Sequence, residues 1–210
     1  MAQPESTATP HDVVSHVGIA AEALLAQSDF LANPYFDALR NGTFRLRAFR
    51  SSQTQFFNAV TFFARPMAAL VARITEPRQR LDLLRNLVEE HGDFNPSAFH
   101  HATFLKFLAS IGVDPRSTDT LALWPEVRAF NAALSAACVL DEIEVGVACM
   151  GIIERAFADV SAIVGQAVVA SGWVTSSALT HYKLHAQIDS RHAGEFFAVV
   201  DPLWNIPAKR

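Results

Sequence analysis

The sequence predicts an all-α bundle of about seven or eight helices. Three observations carry this expectation. Apolar residues recur at three- and four-residue steps along most of the chain, and no useful length alternates in the two-residue rhythm of a strand. Gly, Pro and Asn punctuate the chain often, so connections are short and neighbouring helices run mostly antiparallel. The 210 residues are 50% hydrophobic and include 16 Phe, enough for one sizeable core. Residues 1–10 are polar, carry Pro and lack period, which reads as a disordered tail; 11–210 read as a single domain.

The elements follow in order. Val13, Val14, Val17, Ala20, Ala21, Leu24 and Leu25 make one amphipathic helix over about 11–26. Asn33 caps a short helix with Pro34 at its first position, and Asn41-Gly42 stops it. Thr43 is the expected cap of a long Phe-rich helix to about Ile74, kinked at Pro66. Thr75-Glu76-Pro77 opens a helix to His91, broken by Gly92 to Pro96. Ser97 opens the next, which ends near Gly112. After the loop Asp114 to Ser117 come helices over about 123–140 and 141–170, closed by Gly172. Thr175 or Ser176 is the expected cap of the last helix, which ends before Asp201-Pro202.

Composition excludes some classes of partner. Net charge is −4 and no basic block occurs, which argues against nucleic acid. The apolar runs are short and broken by charge, so no membrane span is expected, and no leader-like N-terminus is visible. Cys138 and Cys149, if on one helix, stand about 16 Å apart, too far for a disulfide. Reduced thiols in a cytoplasmic protein are the expectation.

The chemistry is concentrated near the C-terminus. His185, Asp189 and His192 are spaced by four and three residues, which places all three on one helical stripe. Leu184, Ile188, Phe196 and Val199 lie close to it, so the stripe points inward. Two imidazoles and a carboxylate suit a non-haem iron site with open positions. The same residues could instead form a solvated polar face or a capping network. Glu154 stands among Ile152, Ile153 and Phe157, and an acid in such surroundings is a ligand, paired with a cation, or protonated. Glu89, Glu90, His91, His100 and His101 are the other candidates for a metal. No Glu meets a His three residues on, so the ligand logic of ferritin-like bundles does not apply.

From about Pro34 to Phe197 the chain resembles the haem-oxygenase-like di-iron oxidases. The matching motifs are Asn86-Leu-Val-Glu-Glu90-His-Gly92, His100 standing twelve residues before Gly112, Glu154 standing 31 residues before His185, and the triad itself. The resemblance implies a haem-oxygenase-like bundle and a ligand set of Glu90, His100, Glu154, His185, Asp189 and His192. It implies two iron ions (manganese is the other candidate), O2 as co-substrate, an external electron donor and a small organic substrate. N-oxygenation of an amine and oxidative C–C cleavage of a carboxylic or amino acid are the implied reactions, in specialised biosynthesis. Members that consume a tyrosine of their own have Tyr and Lys where this chain has Phe36 and Val164, which argues against that chemistry. N-oxygenase members add a carboxylate on the long second helix. Here no acid occurs between Asp37 and Glu76, leaving six ligands. Phe56, Phe57 and Phe63 are candidates to line the substrate cavity, and Arg65 to hold a substrate carboxylate. A homodimer is compatible with this reading. The alternatives are a metal-free relative of the thiaminase II or pyrroloquinoline-quinone synthase type, and a non-catalytic helical interaction module.

Overall fold

A computed structural model describes residues 15–118 and 121–209. The expected tail, and the start of the first helix at His11, lie outside the described residues. Among the described residues there are eight α-helices and no strand: α1 His16–Ser28, α2 Pro34–Arg40, α3 Leu46–Arg73, α4 Leu81–Glu90, α5 His100–Ser110, α6 Pro125–Ser135, α7 Ile143–Ala170 and α8 His181–Val200.

Local signals explain most boundaries. Asn33 accepts a hydrogen bond from the Tyr35 N–H and caps α2, with Pro34 at its first position. Two expectations need correction. α3 starts at Leu46 behind Arg45, and Thr43 instead donates to the Ala38 carbonyl of the preceding turn. α3 continues through Pro66 as one helix. α8 starts at His181, because Thr175 and Ser177 bond each other in a separate turn. The stretch 123–140 closes in a π turn over Ala136–Leu140, and the break at Asp141 and Glu142 separates it from α7.

α7 and α8 form the spine. They run antiparallel, with Gly151 against Phe196 and Phe197 and Gly165 against Leu179 and Tyr182. A Cβ on Gly151 would come within 2.5 Å of the Phe197 ring, so glycine is what lets the two helices approach there. Two apolar cores flank the middle of this pair. One gathers Phe49, Phe104, Phe107, Val164, Val168 and Tyr182. The other gathers Met67, Leu70, Leu83, Val147, Met150 and Phe196. Glu154 and the inward stripe of α8 lie between them. α1 is tied to the far end of α8 by Asp201, which accepts from the Ser15 hydroxyl and the Val17 N–H, both at 2.9 Å. Cys138 is buried and Cys149 half-buried; both are free thiols. Burial pushes the Cys138 thiol up to about 12, which leaves it unreactive. No described helix is long and apolar enough to cross a membrane.

Candidate metal centre

The α8 stripe points inward: His185, Asp189 and His192 are 4%, 0% and 0% exposed. Glu154 reaches them from the middle of α7, Glu90 from the last turn of α4, and His100 from the first turn of α5; all three are buried. The turn between α4 and α5 makes the last two neighbours. Gly92 sits there at φ +58°, and a Cβ on it would lie 2.5 Å from the Ala98 carbonyl carbon. With glycine in place, Glu90 Oε1 comes 2.9 Å from His100 Nδ1.

The six side chains form one cluster with two halves. Glu154, Asp189 and His192 each offer a ligand atom within 4.8 Å of the others. His192 Nδ1 is 3.7 Å from Glu154 Oε1. His185 Nδ1 stands 2.9 and 3.1 Å from the two Asp189 oxygens and links the halves. Its ring centroid is 4.4 Å from that of His100, which is paired with Glu90.

A supporting layer surrounds these groups. Asn86 Nδ2 donates to Glu154 Oε1 at 3.3 Å. Glu89 Oε2 accepts from His192 Nε2 at 2.9 Å and from Arg191 at 2.6 Å, and Arg191 also reaches Glu195. The Glu89–His192 bond turns Nδ1 of that ring toward Glu154, the arrangement in which a carboxylate orients a metal-binding histidine. The sequence offered Glu89 only as a candidate ligand and Asn86 only as part of a motif, and its reading overlooked His181, which lies one turn before His185. His181 is fully buried, with its ring 4.3 Å from His185 and its Nδ1 3.1 Å from Thr103 Oγ1. The four-residue step back along the stripe was the available signal.

Electrostatics say what the cluster lacks. Among the described residues, no Lys or Arg pairs with Glu90, Glu154 or Asp189. Protons therefore carry the balancing charge. Burial, with Glu90 adding, pushes the Asp189 carboxyl up to about 8. Burial, then Asp189 and Glu90, raises Glu154 despite the nearby His192 ring, which lowers it. His185 is driven down to about 4 by burial and by His100. Burial opposes protonation of His192, yet Glu154 and Glu89 outweigh it and lift that imidazole to about 9. His185 Nε2 has no hydrogen-bond partner, and the carboxylate oxygens nearest His100 Nδ1 and His192 Nδ1, at 2.9 and 3.7 Å, belong to Glu90 and Glu154, which no cation neutralises. An orphaned ring nitrogen beside histidine–carboxylate pairs that no fixed cation serves is what a divalent transition metal would satisfy. The residues fit such a metal, and three imidazoles with three carboxylates fit iron.

Glu90, Glu154 and His185 also form one wall of a cavity of about 250 Å³. The remaining walls are apolar and include Phe30, Phe56, Phe63, Phe130 and Phe157. Phe57 packs in the core against Phe104 and the His101 ring instead, and Arg65 is exposed; neither lines this cavity. A larger, more open cleft of about 800 Å³ near Arg40, Gly42 and Trp173 contains none of the six side chains. His91 is exposed and bonds the Leu87 carbonyl. Glu142 is exposed, and Glu144 pairs with Lys209 at 3.0 Å.

A helical bundle with a buried centre of histidines and carboxylates opening on an apolar cavity is the class that fold and site define. The chain belongs to the family of iron-containing redox enzymes, whose family model matches residues 50–209. Its fold is haem-oxygenase-like. It is similar to a domain of unknown function with that fold from Shewanella denitrificans, at TM-score 0.70 and 16% identity over 92% of this chain and 78% of the other. It is also similar to a TenA family transcription regulator from a Silicibacter species, at TM-score 0.61 and 12% identity over 89% of this chain and 92% of the other. None of the curated proteins matches the sequence.

Proposed function

We propose that this protein is an O2-dependent, non-haem di-iron oxidoreductase that oxidises a small, largely apolar organic substrate. The observation that carries the reading is that a buried cluster of three histidines and three carboxylates presents Glu90, Glu154 and His185 to one wall of an otherwise apolar cavity. Glu90, His100, Glu154, His185, Asp189 and His192 would hold the metals. Bound iron supplies the redox chemistry with O2, and an external donor supplies electrons.

The chain's own residues do the rest. The Phe walls exclude water from the reacting groups and bind the apolar part of the substrate. Among the described residues the cavity lining contains no Lys or Arg, so a substrate carboxylate or amine would be oriented at the Glu90, Glu154 and His185 wall and not by a separate cation. N-oxygenation of an amine and oxidative C–C cleavage of a carboxylic or amino acid are both compatible with that lining. A non-catalytic interaction module would pair Glu154 and Asp189 with Arg or Lys, whereas their partners are Asn86 and histidines.

The test is anaerobic ferrous loading followed by metal quantification. An O2 pulse is then applied in the presence of medium-chain amines, carboxylic acids and amino acids, with products read by mass spectrometry. We expect close to two irons per chain and O2-dependent loss of one substrate class. Absence of metal after ferrous loading, or zinc held by the two cysteines, would refute the reading.

A further inference from the structure

The imidazole of His181 has no place in the six-residue ligand set. It is fully buried, and its ring packs against those of two proposed ligands, with centroids 4.3 Å from His185 and 6.1 Å from His100. Its hydrogen bonding assigns its tautomer. The Thr103 hydroxyl donates its single proton to the His100 carbonyl at 3.0 Å. The contact between Thr103 Oγ1 and His181 Nδ1 at 3.1 Å therefore requires the ring to donate, Nδ1–H to oxygen. That leaves the lone pair on Nε2 bare, and Nε2 has no partner. A buried acceptor without a partner is costly. The opposite tautomer would bury an unpartnered N–H instead. An imidazole whose Nδ1–H is held by an oxygen while Nε2 stays free is the form in which histidine ligates a metal.

We infer that His181 is a further metal-binding residue, its Nε2 serving a divalent transition metal on the side of the centre formed by Glu90, His100 and His185. This rests on the dimetal reading above. It makes the centre asymmetric: one half rich in nitrogen donors, the other, with Glu154, Asp189 and His192, rich in oxygen. Nitrogen-rich surroundings select Fe, Co or Zn over Mn. Thr103 is then a positioning residue that acts through His181.

The experiment compares full-length wild type, His181→Phe, His181→Gln and Thr103→Val by anaerobic titration with Co(II). It reads both stoichiometry and the visible ligand-field spectrum, with circular dichroism to check folding. Wild type should bind two ions in two distinguishable steps. Both His181 variants should keep one step and weaken the other by about tenfold or more, with an altered spectrum for that ion alone; Thr103→Val should weaken the same step less. Two unchanged steps with an unchanged spectrum in either folded His181 variant would overturn the assignment while leaving the dimetal reading intact. A wild type that binds no Co(II) or Fe(II) would sink both. If His181→Phe fails to fold, His181→Gln carries the test, since its amide keeps a polar group against Thr103.

Discussion

Glu154→Gln separates a metal-binding acid from a structural one, because the two roles predict opposite responses to metal. Without metal, Glu154 is a buried acid whose carboxyl is raised by burial and by Asp189 and Glu90. A raised carboxyl means that folding favours the neutral form, so a neutral amide of the same shape relieves a cost and does not add one. The Asn86 Nδ2–H can still donate to the Gln oxygen. The metal-free variant should therefore be at least as stable as the metal-free wild type. With metal the order reverses. At a free metal concentration of about 100 times Kd, one site adds about 2.7 kcal/mol to wild type. For a chain of this size that raises Tm by about 5–11 °C. If the substitution weakens that site about 100-fold, the same concentration equals Kd, and the gain falls to about 0.4 kcal/mol, or about 1–2 °C. Differential scanning calorimetry with anaerobic ferrous titration reads this directly. The controls are Glu142→Ala and Glu144→Ala, acids outside the cluster, which should stay within about 0.5 kcal/mol of wild type and keep its metal response. A Glu154→Gln protein that gains as many degrees from iron as wild type would refute the reasoning, as would loss of the response in Glu142→Ala.

Three further outcomes are expected. Glu89→Ala frees the His192 ring and should weaken one metal about 10–100-fold, with Glu89→Gln falling between; equal iron affinity in all three proteins would show the Glu89–His192 bond to be incidental. Hydrogen exchange over residues 181–195 should slow markedly when metal is added while α3 changes less, because metal-free α8 holds polar groups against the core; equal protection of α8 in both forms would count against this. Asp201→Asn should lower stability at neutral pH by about 1 kcal/mol, by weakening the cap at the start of α1. Burial pulls the Asp201 carboxyl upward, but bonds from Val17 N–H and Ser15 outweigh it and hold it below its ordinary value. That stabilisation is full above the unfolded value near pH 4 and is lost as pH falls through the folded one, so urea midpoints of wild type and variant should converge in acid.

Much of this was legible along the chain because helical geometry is local. A four-then-three spacing places His185, Asp189 and His192 on one stripe whatever surrounds the helix, and Glu154 among Ile152, Ile153 and Phe157 is an acid in apolar surroundings on any fold that buries that face. Gly92 between Glu90 and His100 signals a turn, and the turn is there at positive φ. What spacing cannot supply is the identity of the neighbour across a helix interface. Glu89 and Glu90 are adjacent acids, yet about 100° of rotation separates one that supports His192 from one that faces His100. His181 has its fixed tautomer only because Thr103 of α5 stands opposite it. Phe56 and Phe63 line the cavity while Phe57 fills the core, a division that the packing of α3 against α5 and α7 decides, since all three residues are equally apolar. The start of α8 was misplaced for the same reason: Thr175 and Ser176 carry cap-forming side chains, but the ten residues from Ser171 to Thr180 are needed to turn the chain back onto α7. Sequence determined the stripes and the chemistry they carry. Only tertiary packing decided which stripes face each other, because that depends on residues distant in the chain and on the volumes they must share.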